Sequence, residues 1–241
     1  NTYAAGESVA DDGLFYLESA GTPTSAGSAF TDSSVAAYLG LIHYTAFDSK
    51  YVVDLSVRRE ANSRFSADNR WGTFYSAGGA WNIHKESFLA GNETLSNLKL
   101  RASYGLTGNA NISINQYQAL FSFDADYAGE GATYASTFGN GDLSWETSTT
   151  FDVGLDFGLF ENKIRGNVAY YNRKTEDMLL SVPLSLTTGF SSQTRNIGKM
   201  ENKGVEVELD WNIIQSEDFN LSIGGNLATN ENEVLELAKD G

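Results

Sequence analysis

The chain has 241 residues, with 16 Lys+Arg against 31 Asp+Glu and a formal net charge of −15 at pH 7. So acidic a balance cannot build the positive face that nucleic acid requires; zero Cys excludes disulfide frameworks, thiolate zinc sites and cysteine nucleophiles, and 2 His leave little for an imidazole metal site or proton relay. Only 2 Pro stand beside 24 Gly, 14 Phe and 12 Tyr, and no run nears the ~20 apolar residues of a membrane helix, a profile that long hydrogen-bonded strands tolerate.

In chain order, residues 1–34 read as a loop with one possible strand near Gly13 to Glu18. Strict alternation then marks about eight strands, at 35–46, 51–62, 71–83, 98–108, 145–160, 163–175, 197–214 and 219–230, and residues 231–241 open a further loop. The first strand is irregular, because Leu41 and His43 share the face that should be polar. LKLRASYGL sets Leu98, Leu100, Ala102, Tyr104 and Leu106 against Lys99, Arg101, Ser103 and Gly105. FDVGLDFGLF sets Phe151, Val153, Leu155, Phe157 and Leu159 against Asp152, Gly154, Asp156 and Gly158. IRGNVAYYNR puts Arg165 and Asn167 on its wet face, and VEVELDWNI alternates Val205, Val207, Leu209, Trp211 and Ile213 with Glu206, Glu208, Asp210 and Asn212. Period 2 over nine or ten residues gives each strand one apolar and one wet face.

The connections alternate in length. Asp48–Lys50, Glu161–Asn162 and Gln215–Asp218 are tight; Ser63–Arg70, Asn109–Ser144 and Glu176–Asn196 are long. His84–Asn97 breaks the pattern, with a helical turn expected around Glu86–Leu89. Amphipathic strands of ~10 residues joined by alternating short and long loops are the signature of an antiparallel transmembrane β-barrel, short ends in the periplasm and long loops outside. Tyr44, Phe47, Tyr51, Trp81, Phe157, Phe160, Trp211 and Phe219 all fall near the short-turn end, where an aromatic girdle meets lipid headgroups. A soluble β-sandwich also likes aromatics, but its strands usually run about 5–6 residues. The wet-face residues Lys99, Arg101, Asp152, Asp156, Arg165, Asn167, Glu206, Glu208 and Asp210 are then expected to line the lumen.

Four stretches, 51–89, 95–109, 143–180 (LSWETSTTFDVGLDFGLFENKIRGNVAYYNRKTEDMLL) and 187–214 (TTGFSSQTRNIGKMENKGVEVELDWNII), resemble the barrel of SusC/RagA-family TonB-dependent transporters in the family's order. The resemblance implies an all-β fold, here a partial wall of about eight strands from a barrel of about 22. It also implies a bacterial outer-membrane location and import of oligosaccharides or peptides. The implied partners are a SusD-like surface lipoprotein, outer-membrane lipid, and TonB acting through a plug. The chain shows no plug-like or TonB-contacting segment, opens NTYAAGESVADDG without a signal peptide and ends LELAKDG without a terminal aromatic strand, so an internal or C-terminal part of the wall is expected. The alternatives are a small closed outer-membrane barrel or a surface binding or adhesion module, and, third, a glycan-active β-enzyme.

Catalytic residues are not expected: no G-x-S-x-G, H-E-x-x-H or Walker pattern occurs, and Glu206 with Glu208, though sharing a strand face, reads as wet wall. No cofactor is expected either, Ca²⁺ being the one candidate. Asp124, Asp126 and Glu130 follow an EF-like spacing, but Ala128 and Ala135 stand where oxygen ligands are wanted. For ligand contact, the long loop carries Tyr117, Phe121, Phe123, Tyr127, Tyr134 and Phe138, and the loop 176–196 adds Phe190 and Arg195. Loop aromatics can stack on sugar rings or on a partner, or pack on one another.

Overall fold

A computed structural model describes the backbone of residues 2–9, 20–28, 31–127 and 130–237, and side chains within 31–122 and 133–237. The chain divides into two compact units, residues 1–33 and 34–241. The first is an antiparallel hairpin of β1 (Thr2–Val9) and β2 (Ala20–Ser28), with a register shift between Ala5 and Gly6. The strand expected near Gly13 to Glu18 lies outside the described residues.

The second unit is one antiparallel ladder, because each long period-2 segment pairs with the next one along the chain, across short turns at one end and long loops at the other. Its strands are β3 (Val35–Ala46), β4 (Tyr51–Asn62), β5 (Trp71–Asn82), β6 (Leu95–Asn109), β9 (Glu146–Leu159), β10 (Ile164–Glu176), β13 (Lys199–Gln215) and β14 (Asn220–Ala228), paired in that order. Two small hairpins stand off the ladder inside the long loops: β7 (Phe121–Tyr127) with β8 (Glu130–Ala135), and β11 (Leu179–Pro183) with β12 (Ser192–Asn196). Residues 231–241, expected as the start of a loop, instead begin with β15 (Glu231–Glu236). β14 and β15 share one edge of β13 in a single register, Ala228 opposite Glu206 and Glu231 opposite Lys203. The break between them sits opposite Gly204, where a Cβ would strike the Thr229 carbonyl oxygen; Thr229 instead closes on Val205, its N–H donating to the Val205 oxygen at 2.9 Å.

Register carries the alternation from strand to strand. Tyr44, Val53, Gly79, Ala102, Val153, Tyr170 and Val205 form one cross-strand row, and Tyr51, Trp81, Leu100, Leu155, Val168 and Val207 the next. The apolar face stays uncovered: Leu209 is 47% exposed, Trp211 50% and Ile223 59%. A sandwich would bury such a face under a second sheet, and among the described residues no second layer lies against it. Nor is the small closed barrel formed, since β3 and β14 end the ladder without pairing to each other. Leu41 and His43 do sit on the polar face, opposite Ser56 and Asp54, and His43 Nδ1 lies 2.6 Å from Asp54 Oδ1.

At the turn end one device occurs twice. Phe47-Asp48-Ser49-Lys50 joins β3 to β4, and Phe160-Glu161-Asn162-Lys163 joins β9 to β10. The first three residues of each are left-handed, with φ of 54, 55 and 60° and of 53, 57 and 62°. Non-glycine residues there cost about 1–2 kcal/mol each. The offset comes from hydrogen bonds. Lys50 N–H donates to the Phe47 oxygen at 3.2 Å and Lys163 N–H to the Phe160 oxygen at 3.1 Å. Each Lys oxygen then accepts from an Asn that follows a Trp on the next strand: Asn82 N–H at 2.8 Å and Asn212 N–H at 2.7 Å. Trp81 and Trp211 stand opposite Tyr51 and Ile164, the residues just after the two turns, so the two units superpose in register. The helical turn expected near Glu86–Leu89 is present as 3₁₀ turns Ile83–Lys85 and Ser87–Leu89.

At the loop end the connections fold into a small aromatic core. Phe65 and Leu143 are fully buried, and Phe74, Ile112 and Trp145 nearly so. The Trp145 ring lies 5.3 Å from Phe65 and 5.2 Å from Phe74, and its Nε1 donates to the Arg70 oxygen at 3.1 Å.

Candidate functional site

The polar face gathers the nine residues expected on the wet wall. Arg101 stands opposite Gly154, and its guanidinium lies across β9, Nη1 2.9 Å from Asp152 Oδ1 and Nε 3.3 Å from Asp156 Oδ1. That crossing needs a glycine: a Cβ on residue 154 would stand 2.6 Å from Arg101 Cζ. One row lower, Lys99, Asp156, Asn167 and Glu208 are cross-strand neighbours, and Asn167 Nδ2 donates to Glu208 Oε2 at 2.9 Å. Arg165 pairs in register with Gly158 and Asp210, and Glu206 stands opposite Ala169. Two shallow cavities follow, one of about 300 Å³ holding Asp156, Arg165, Glu208 and Asp210, and one of about 440 Å³ holding Asp152, Arg173 and Glu206. Half-buried and exposed charges of both signs, with carboxylates in excess and Arg101 paired to Asp152 and Asp156, make this a polar, solvated face.

At the turn end the aromatics cluster. Phe47 meets Tyr51 edge-on at 6.0 Å, and Tyr51 stacks on Trp81 at 6.3 Å. Their polar tips converge on one carboxylate: Tyr51 Oη donates to Glu86 Oε1 at 2.7 Å, Trp81 Nε1 to the same oxygen at 3.0 Å, and Lys50 Nζ to Glu86 Oε2 at 3.1 Å. The Tyr51 hydroxyl, then the Lys50 ammonium and the Trp81 indole, hold the Glu86 carboxyl below its ordinary value. Tyr44, Phe157 and Trp211 share the apolar face with Tyr51 and Trp81, and Phe219 stands exposed one residue before β14. A second aromatic row crosses the same face near the loop end and was not expected: Tyr38 stacks on Trp71 at 6.2 Å, with the Arg59 guanidinium 5.3 Å over the indole. Its signal was present in the alternation, since Tyr38, Trp71, Tyr75 and Tyr104 continue the apolar positions of their strands.

The loop candidates divide. Tyr134, Phe138 and Phe190 come together around a cleft of about 510 Å³ between the residue 113–120 segment, the residues after β8 and the β11–β12 hairpin. The rings of Phe138 and Phe190 lie 5.2 Å apart, tilted by 41°. Tyr117 packs instead against the buried core, Phe121 is exposed away from the cleft lining, and Arg195 donates from Nε to Gln193 Oε1 at 2.8 Å beside a separate cavity with Asn140 and Asp142. The side chains of Phe123, Tyr127, Asp124, Asp126 and Glu130 lie outside the described residues, and so does the candidate Ca²⁺ set. Among the described residues no group of three His, Asp or Glu is placed to hold a metal. Amide side chains unite the loops: Gln193 Nε2 donates to the Gly139 oxygen at 2.8 Å, Asn140 Nδ2 to the Thr194 oxygen at 3.0 Å, and Asn196 Nδ2 to the Ser144 oxygen at 2.9 Å.

The family model for the TonB dependent receptor-like β-barrel matches residues 3–240. This chain belongs to that family. It is 39% identical over 215 residues to the TonB-dependent receptor SusC of Bacteroides thetaiotaomicron, covering 86% of this chain and 21% of that protein. To a TonB-dependent receptor of Formosa agariphila it is 37% identical over 226 residues, covering 92% of this chain and 22% of the relative. The structure of the RagAB peptide transporter superposes with a TM-score of 0.83 at 34% identity, over 94% of this chain and 25% of that one. The chain therefore spans a fifth to a quarter of the relatives it matches. Like them, it is a stretch of outer-membrane barrel wall, and its open ladder is the form a partial barrel takes. In a TonB-dependent receptor, a ladder with one bare apolar face and one charged face needs no second sheet.

Proposed function

We propose that this chain forms wall and loops of an importer that carries oligosaccharides or peptides across the bacterial outer membrane. In this reading the apolar face meets lipid, and the Lys99, Arg101, Asp152, Asp156, Arg165, Asn167, Glu206, Glu208 and Asp210 face lines the lumen. The tight-turn end lies in the periplasm, with Tyr44, Tyr51, Trp81, Phe157, Trp211 and Phe219 at headgroup level. The Tyr38–Trp71 row marks the opposite headgroup level. The wall performs no covalent chemistry. TonB delivers energy through a plug carried elsewhere in the full-length protein, and a SusD-like lipoprotein covers the loop end.

The observation that supports this most is the uncovered apolar band. On β13 it runs from Val205 to Ile213, beneath the charged residues Glu201 and Lys203 on the same face. Nine residues match the ~9–11 that a tilted barrel strand needs to cross a bilayer. The test is uptake. Deleting the full-length gene should abolish uptake of one class of oligosaccharide or peptide, and a protonophore should do the same to the wild type. Uptake indifferent to both, or a full-length protein extracted without detergent, would end the reading.

A further inference from the structure

We propose that the loop cleft selects for an uncharged sugar segment, and so decides between the two solute classes left open above; this rests on the importer reading. The ground is composition in place. A fifth of the chain is charged. The sixteen described residues around the cleft include no Asp, Glu, Lys, Arg or His, whereas eight carry a hydroxyl. Four other cavities among the described residues differ: Asp152, Arg173 and Glu206 line one, Asp156, Arg165, Glu208 and Asp210 a second, Glu93, Glu161 and Lys163 a third, and Asp142 with Arg195 a fourth.

An ionised group entering the cleft sheds part of its hydration and meets no charged side chain among the sixteen lining residues, the Arg195 guanidinium standing behind them with its Nε already donating to Gln193 Oε1 at 2.8 Å. A pyranose loses nothing comparable. Its hydroxyls exchange water for Ser, Thr and amide partners, and its C–H faces lie on aromatic rings. Both surfaces are present. Tyr134 is 50% exposed and Phe138 45%, with Phe190 packed behind Phe138. The volume of about 510 Å³ falls within the range of small-molecule sites, ~300–1,000 Å³. The walls are also fixed in advance. Gln116 bonds the Thr194 hydroxyl, and Gln193 and Asn140 tie the β12 segment to residues 139 and 140, so little ordering entropy remains to be lost on binding.

Calorimetric titration of the detergent-solubilised full-length protein tests this, with a panel of neutral gluco-, xylo-, manno- and galacto-oligosaccharides, length-matched oligogalacturonides, and tetrapeptides with free or capped termini. At least one neutral oligosaccharide should bind ten-fold or more tightly than any oligogalacturonide or free peptide. Tyr134→Ala and Phe138→Ala should each weaken it ten-fold or more. Ser136→Asp, which adds one charge to the cleft rim, should weaken the neutral ligand without restoring the anionic one. Equal or tighter binding of oligogalacturonides or peptides, no binding by any neutral oligosaccharide, or neutral binding untouched by all three variants would each overturn the proposal. Protease resistance of the loop end checks that the variants are folded. Protonophore-sensitive uptake that survives in cells carrying the three variants would overturn the cleft assignment and leave the importer reading standing.

Discussion

The two ends of the ladder are built by opposite means. The turn end relies on backbone. Two tetrapeptides of the same type, Phe47–Lys50 and Phe160–Lys163, force three successive residues into left-handed conformation and are capped by the main chain of a third strand. The loop end relies on side chains: an indole among phenyl rings, and Asn and Gln amides that reach carbonyl groups more than fifty residues away. Backbone devices are local and cheap in sequence, whereas the loop core needs many residues that are distant in the chain to be right at once. The two turn tetrapeptides should therefore tolerate change in their side chains, and the loop end should fail as a unit.

Removing the indole tests that difference most severely. Trp145→Ala empties a nearly buried site between Phe65 and Phe74 and should cost about 3–5 kcal/mol. The loss should be confined: limited proteolysis of the full-length protein should cut within 110–145 while the strands stay protected. A single denaturation step shared by loops and strands would show that the two ends are not independent. Midway between them, Gly154→Val should displace the Arg101 guanidinium and cost about 1–3 kcal/mol. In a double-mutant cycle with Arg101→Ala much of that cost should vanish, because the bulk then meets no guanidinium.

Acid probes the turn end. Glu86 is held below its ordinary value of 4.5, so its contribution is fully present above that pH and is lost as the pH falls through the lowered value in the folded protein. The stability difference between wild type and Glu86→Gln should be constant above pH 4.5 and shrink below it, read from the urea midpoint of tryptophan fluorescence. The smallest effect should be a gain. Ser49→Gly relieves a left-handed serine and should add about 0.5–1 kcal/mol, and Asn162→Gly less, since Asn tolerates that region. A loss at either position would mean that the side chains, not the backbone, hold those turns.

The same contrast explains what was legible in the sequence. The strands 35–46 and 51–62 end where their alternation ends, and 145–160 differs from Glu146–Leu159 by one residue at each end. Period 2 survives because one face meets an apolar and the other a wet surrounding along the whole strand. Of the small hairpin strands inside the expected loops, β8, β11 and β12 carry no two-sided pattern over their five or six residues, whereas β7 does alternate, Phe121, Phe123, Ala125 and Tyr127 against Ser122, Asp124 and Asp126, a signal hidden by its place within the long loop. β15 escaped because what extends the ladder past Ala228 is the missing side chain of Gly204 on the neighbouring strand. Among the loop aromatics, Tyr134, Phe138 and Phe190 meet at one cleft and Tyr117 joins the core, a division set by the Gln116, Asn140 and Gln193 amides and not by the rings themselves.

The paired Phe-acid-Ser/Asn-Lys turns carry one more implication. In a strand every residue counted wrongly exchanges inside for outside, so a one-residue slip at either turn would send Leu, Val and Phe toward water along two whole strands. A conformation open to so few tetrapeptides, closed by the Asn that follows a Trp on the neighbouring strand, works as punctuation: it resets the reading frame of the wall at residues 47–50 and again at 160–163, so that an error in one hairpin is not handed on to the next.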